Sequence, residues 1–395
     1  MSTSSKKFTL RFWINQIHLW LGLASAIILF LVCATGTIYV FKKEIEEWIE
    51  PSKYEVAFEN QDYKSSLEEQ IHFVEMKTKG KASRITLDSD PTKSVEIQIH
   101  EGKEDKRGLT HYVNPYNMEL LGTAKGPASG FFMTVFKMHR WLTFDTEVGR
   151  PIVGVSTLIF VILSISGLAL WIPKKWKKWK NYKAGYRIKW KASWKRLNHD
   201  LHNVLGFYAF PIILIMALTG LSWSFEWYKD GLGNVLGAEV FGGKKPLPFA
   251  STPSGDTTLI SLNKVFEIAQ AELNYQGKTT VAFPKGEDGV FTIRKKNSER
   301  LNKEATDLLV LDPYNGKVIE KQVFDNKRTG EKIASQIQAI HMGETHGLFS
   351  KIIYFFCCLI ATSLPVTGIF IWINKMKKTG NGKKKRSLKS LTPEA

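Results

Sequence analysis

The chain matches itself in tandem, and the match runs through its apolar segments. His18-Leu-Trp-Leu-Gly22, Thr35-Gly36 and Phe41 align without a gap on His202-Asn-Val-Leu-Gly206, Thr219-Gly220 and Phe225, at a constant offset of 184. Further on, Asn114-Pro-Tyr-Asn matches Asp312-Pro-Tyr-Asn, His139 matches His341, and Ser166-Gly-Leu-Ala-Leu-Trp-Ile matches Thr367-Gly-Ile-Phe-Ile-Trp-Ile, with offsets between 198 and 202. A duplicated chain folds as two copies of one plan that pack by a shared rule.

Four stretches, roughly 13–41, 151–173, 203–225 and 351–373, are long and apolar enough to cross a hydrocarbon core of about 30 Å. The first runs straight into Lys42-Lys-Glu-Ile-Glu-Glu-Trp-Ile49 without a small-residue cleavage site, so it is expected to remain as a span. A net charge of +18 raises the question of nucleic acid, and its distribution answers it. Residues 1–12, 173–200 and 374–395 hold 3, 11 and 8 Lys or Arg against only Asp200 and Glu394, and the remainder of the chain is close to neutral. Cytoplasmic loops carry such an excess, so a multi-pass membrane protein with both termini and the 173–200 loop in the cytoplasm is expected, with no nucleic-acid partner. Trp171, Trp176, Trp179, Trp190 and Trp194 fall where an interfacial aromatic belt is expected. Cys33, Cys357 and Cys358 all lie in apolar spans, which leaves the exported regions without disulfides.

The expected fold class is a mainly α membrane protein, with four transmembrane helices in two tandem repeats and one exported small α+β domain per repeat. The domain plan is a cytoplasmic N-terminus and first span (1–42), an exported domain (43–135), a second span (136–173) and a basic loop (174–200). A third span (201–227), a second exported domain (228–338), a fourth span (339–374) and a basic tail (375–395) follow. Each exported region reads as a helix before alternating strands: Leu67 to Met76 before Arg84-Ile-Thr-Leu and Val95-Glu-Ile-Gln-Ile, and Ser261 to Gln276 before Val281-Ala-Phe, Val290-Phe-Thr-Ile and Leu308-Leu-Val-Leu. Residues 231–250, rich in glycine and without a counterpart in the first half, are expected to form a flexible element near the membrane surface, either a linker or a substrate-facing loop.

Six of nine histidines flank the spans: His18, His139, His199, His202, His341 and His346. An ionisable residue at such a place is a functional candidate, because lipid leaves it no water to pair with. The repeat puts His18 and His202 at the inner ends of spans, and His139 and His341 before the outer ends of others. Packed about an axis along the membrane normal, the members of each pair face one another. Two imidazoles in an apolar surround, without a carboxylate or thiolate, suit the two axial positions of a haem iron, whereas zinc takes four ligands. Gly36, Gly167, Gly220 and Gly368, each behind a Ser or Thr, are expected to clear space for a porphyrin, and small-residue helix packing is the alternative. His199 and His346, which match Asn15 and Phe144, are alternative ligands or neighbours of the ligands. Arg11, Arg140 and Arg196 are propionate candidates, since guanidinium pairs bidentately with carboxylate. His72, His100 and His111 are expected at the surface.

His18-Leu-Trp-Leu-Gly-Leu, Met138-His-Arg-Trp-Leu, Ser166-Gly-Leu-Ala-Leu-Trp-Ile-Pro, Asp200-Leu-His-Asn-Val-Leu-Gly-Phe-Tyr, Leu218-Thr-Gly-Leu, Ile340-His-Met-Gly-Glu and Thr367-Gly-Ile-Phe-Ile-Trp together make the chain resemble the PepSY-associated transmembrane family. Iron-regulated inner-membrane proteins and di-haem siderophore-iron reductases fall within that family. Asp312-Pro-Tyr-Asn-Gly-Lys-Val is similar to the end of a PepSY domain, and Asn114-Pro-Tyr-Asn-Met-Glu-Leu is its counterpart without the turn glycine. The resemblance implies two b-type haems, held by His18 with His202 and by His139 with His341 or His346. It implies an oxidoreductase that passes electrons across the membrane to ferric siderophores in the periplasm. With no Gly-x-Gly-x-x-Gly or Walker motif, the donor is expected to be external: reduced flavin, a flavoprotein or quinol. Two other readings stand beside it: a permease that coordinates a translocated metal, and a non-catalytic PepSY scaffold or regulator.

Overall fold

The computed structural model describes residues 9–58, 65–102, 105, 107–173, 182–241, 249–251 and 258–389. Trp176 and Trp179, the glycines at 242–243 and the end of the basic tail lie outside them.

Four helices are long and apolar enough to cross a membrane: Leu10–Tyr39, Thr146–Trp171, Trp194–Trp223 and Gly347–Lys377. Between 17% and 33% of the residues in each apolar window are buried within the protein. The rest of that apolar surface requires a lipid surround, as for a multi-pass membrane protein. In chain order the first half holds α1 (Leu10–Tyr39), α2 (Lys42–Ile49), α3 (Pro51–Tyr54), α4 (Leu67–Thr78), β1 (Lys81–Leu87), β2 (Val95–His100), β3 (Leu109–Val113), β4 (Leu120–Thr123), α5 (Ser129–Trp141) and α6 (Thr146–Trp171). The second holds α7 (Trp194–Asp200), a π-helical turn Leu201–Leu205, α8 (Gly206–Gly220), α9 (Glu226–Leu236), α10 (Leu262–Glu272), β5 (Thr279–Ala282), β6 (Phe291–Lys296), β7 (Thr306–Leu311), β8 (Val318–Gln322), α11 (Thr329–Met342) and α12 (Gly347–Lys389).

The spans form a ring in which α1 packs on α6 and α12, and α8 packs on the same two helices. The repeat-related α1 and α8 therefore stand diagonally opposite. Neither second span is continuous with its preceding histidine. Trp141 is followed by Leu142 and Thr143, both left-handed (φ 55° and 62°), and Met342 by Gly343 (φ 71°). His139 and His341 thus ride on separate short helices, α5 against α1 and α6, and α11 against α8 and α9. The helix that carries His139 therefore ends at Trp141, before the helix that carries Ser166 begins at Thr146.

The eight strands make a single antiparallel sheet in the order β4-β3-β2-β1-β5-β6-β7-β8. The halves meet where Ile85 pairs with Val281 and Thr86 with Thr280. Alternating burial along β2 and β6 turns one face toward α4 and α10. On that face Leu67, Val74, Ile85 and Ile97 from one half and Val265, Val281, Ile293 and Leu309 from the other form one apolar core. The two regions expected as separate α+β domains thus share a sheet and a core. Thr86, Glu96 and Tyr112 belong to the sheet, and with Lys278 just before β5 and Tyr39 and Lys351 of the helices they line a polar cavity of about 450 Å³.

Of residues 231–250, expected to form a flexible element, 231–236 belong to α9, which ends at Leu236 before Gly237 (φ 63°), and Val240 packs on Ala334 and Ile337 of α11, while 242–248 lie outside the described residues. His111 is also buried, in β3, rather than at the surface.

Candidate functional site

The four repeat-related histidines form two pairs across the ring. His18 and His202 have ring centres 6.5 Å apart at 89°, and His139 and His341 have ring centres 6.3 Å apart at 56°. The first pair lies away from the sheet and the second lies near it.

Each histidine is held by the span next to it in its own half. His18 Nδ1 lies 2.9 Å from Ser166 Oγ on α6, and His202 Nδ1 lies 2.8 Å from Thr367 Oγ1 on α12. His139 Nδ1 meets the Val32 carbonyl at 2.9 Å and Thr35 Oγ1 at 3.4 Å on α1. His341 Nδ1 meets the Met216 carbonyl at 2.9 Å and Thr219 Oγ1 at 3.1 Å on α8. A carbonyl only accepts, so His139 and His341 donate from Nδ1. The Ser166 and Thr367 hydroxyls give their own proton to backbone carbonyls of their helices, so they too accept from the ring. All four rings therefore carry the proton on Nδ1 and keep the Nε2 lone pair free, the arrangement in which a ligating histidine is oriented by its other nitrogen. Burial holds His139 and His341 below the ordinary imidazole value, His341 at about 4, and both are neutral near pH 7.

The residue after each hydroxyl is a glycine whose absent side chain leaves room for the ring. A Cβ on Gly36, Gly167, Gly220 or Gly368 would stand 3.2, 3.2, 3.1 or 3.5 Å from Cε1 of His139, His18, His341 or His202. The four glycines read as porphyrin clearance have imidazole as their nearest neighbour.

His18 and His202 open into a cavity of about 850 Å³ whose walls include Leu19, Phe160, Gly167, Trp171 and Phe207. His199 lines this cavity beside Asp200, at 3.7 Å. His346 is exposed in the turn before α12, where its Nδ1 meets Thr345 Oγ1 at 3.0 Å, and His341 is the residue placed opposite His139. Of the three arginines, Arg11 caps α6 through the Ile172 and Leu170 carbonyls at 2.7 and 2.5 Å. Arg196 is paired with buried Asp200 at 2.8 Å. Arg140 lies over the Phe136 and Trp141 rings, 5.5 and 5.6 Å from their centres.

Among the described residues no three His, Cys, Asp or Glu gather as they would around a protein-ligated metal ion. What the site offers is paired single donors. A family model for the PepSY-associated TM region matches residues 15–375, which include all four histidines and all four glycines. The chain belongs to that family. No curated protein matches it. In this PepSY-associated chain the Ser-Gly and Thr-Gly steps gain a role that sequence reading missed. The signal was present, since the residue before each glycine is always a hydroxyl (Thr35, Ser166, Thr219, Thr367). Two further neighbours were missed. Trp223 packs at a tilt of 57° against His341 with ring centres 5.2 Å apart, and Arg150, in the first turns of α6, lies within charge range of Arg140.

Proposed function

We propose that this chain is a di-haem electron carrier of the bacterial inner membrane that reduces Fe(III) in ferric siderophores at the periplasmic face and so releases the iron. The observation that carries the reading is the spacing and tautomer of the histidine pairs. With a metal–imidazole bond of about 2.0 Å, two rings flanking one metal have centres about 6.3 Å apart. The observed separations of 6.5 and 6.3 Å match this. Two neutral donors per site leave the remaining positions to a ligand that brings its own, which a porphyrin does and a bare ion does not. The cavity at His18 and His202 falls within the usual range for cofactor sites, about 300–1,000 Å³.

Bound there, two b-type haems supply one-electron chemistry at two levels of the bilayer, between an external donor (reduced flavin, a flavoprotein or quinol) and an external acceptor. The chain's own residues do the rest. Ser166, Thr367, Val32 and Met216 hold the imidazoles in the ligating tautomer, and the apolar helix faces keep water from the metal. The basic termini and the basic loop at 173–200 support an orientation with the His18–His202 level on the cytoplasmic side and the sheet in the periplasm. Fe(II) is held less tightly than Fe(III) by hard oxygen donors, so reduction frees it from the chelator.

The test is a dithionite-reduced minus oxidised spectrum of the purified protein, with haem counted as the pyridine haemochrome. Two b-type haems per chain are expected, followed by ferrous iron release from a ferric hydroxamate or catecholate under a reduced-flavin donor. A haem-free protein after expression with adequate haem would turn the reading toward a scaffold or metal-binding role.

A further inference from the structure

The two histidine levels differ in what their arginines do. Away from the sheet, Arg11 is spent on the carbonyls of α6 and Arg196 on Asp200. Near the sheet, Arg140 and Arg150 form no ion pair among the described residues. The backbone forces them together: Gly149 packs so closely on Trp141 that a Cβ there would lie 2.0 Å from the Trp141 carbonyl oxygen. The first turns of α6, which carry Arg150, are thereby set against the end of α5, which carries Arg140. Arg150 Nε is buried without a hydrogen-bond partner. Glu226 lies within the field of Arg150, but it is exposed and engaged by Lys229. Arg150 and Arg107 lie within charge range of Arg140, and Arg140 within charge range of both His139 and His341. Two neighbouring guanidiniums, one with a buried unused N–H, are costly unless an anion is present.

We propose that Arg140 and Arg150 form a carboxylate-binding pair beside His139 and His341, which takes the carboxylates of the group held there and raises its reduction potential. The inference rests on the haem reading above, with propionates as the carboxylates. Their forked donors match a carboxylate bidentately. Taking up one electron, Fe(III) to Fe(II), removes one positive charge from a site that already carries two, so these guanidiniums favour the reduced form. The pair near the sheet is then the better electron acceptor of the two, which makes transfer toward the sheet side downhill.

The experiment is a potentiometric titration of the haem-loaded full chain in detergent, together with the rate of haem loss to apomyoglobin. Arg150→Gln is expected to lower one midpoint, the one absent from His139→Ala, to leave the other unmoved, and to speed loss of one haem equivalent. Arg150→Lys, which keeps the charge and loses the fork, falls between, and Arg140→Gln repeats the shift if Arg150→Gln fails to assemble. Unmoved midpoints and unchanged haem loss in variants that retain two haems would overturn the proposal. So would a shift in the midpoint that His18→Ala removes, or one that appears only in phospholipid vesicles, which would assign the arginines to headgroup phosphates. An unsubstituted chain without haem would remove the function and the proposal together, and its haem content tells the two failures apart.

Discussion

His202 donates from Nδ1 to the Thr367 hydroxyl at 2.8 Å, while that hydroxyl donates to the Ser363 and Leu364 carbonyls at 3.0 and 3.1 Å. The relay leaves the ring one choice of tautomer. It also explains a regularity of the repeat: the residue before each of the four glycines must accept a hydrogen bond or stand beside a carbonyl that does, and it must be small. Serine and threonine satisfy both, because they can return their own proton to the helix backbone.

Thr367→Val keeps the shape and removes the acceptor, so the His202 N–H faces a methyl group. Orienting partners of metal ligands are worth about 10–100-fold in affinity, and a loss of that order is expected at the His18–His202 level alone. Haem titration into the haem-depleted protein, followed by absorbance, measures it. Thr367→Ser should bind as the unsubstituted chain does, and equal affinity in Thr367→Val would deny the hydroxyl its orienting role.

The glycines predict a ranking. An added Cβ would stand 3.1 Å from the His341 ring at Gly220 and 3.5 Å from the His202 ring at Gly368. Gly220→Ala must push the imidazole by a few tenths of an ångström, while Gly368→Ala makes ordinary contact. Low-spin ferric signals in electron paramagnetic resonance should therefore change at the His139–His341 level in Gly220→Ala and stay near the original in Gly368→Ala. The reverse order would mean that the glycines serve helix packing rather than ring placement.

The spans, the strands of Val95-Ile97-Ile99 and Phe291-Ile293, and the helix that begins at Leu262 were legible because each follows from local pattern: an unbroken apolar run, a period of two, a helical spacing of apolar residues. The histidine pairs were legible from the repeat, since equivalent residues in a duplicated bundle face one another. The breaks before α6 and α12 differ in kind. Gly343 can be suspected as a helix stop, but Leu142 and Thr143 adopt left-handed backbone with side chains that give no hint of it. The shared sheet was hidden for another reason. Alternation shows which face of a strand is buried but not which strand lies beside it, so the β1–β5 junction has no signature in either half. Arg150 escaped notice because its partnerless Nε is a property of the fold, not of any motif.

Separate levels predict separable losses. His18→Ala should remove one haem per chain and leave the other, and His139→Ala should do the same at the opposite level. His346→Ala should lose none, because His341 occupies the place opposite His139. Haemochrome stoichiometry decides among these outcomes, and equal haem in all three variants would overturn the ligand assignment.

The junction of the sheet gives a prediction that does not depend on haem. Ile85 and Val281 pair across β1 and β5, both fully buried, and each belongs to a different half. Removing the buried methyls of Ile85 costs about 2–5 kcal/mol, and in one continuous core the cost is borne by the whole sheet. Ile85→Ala in proteoliposomes should therefore open trypsin sites within 228–338 as well as within 43–135, with Lys278, Arg294 and Lys295 among the new cuts. Two independently folded regions would instead confine the new cuts to 43–135. The matching substitution Val281→Ala should expose Arg84 on the other side of the junction.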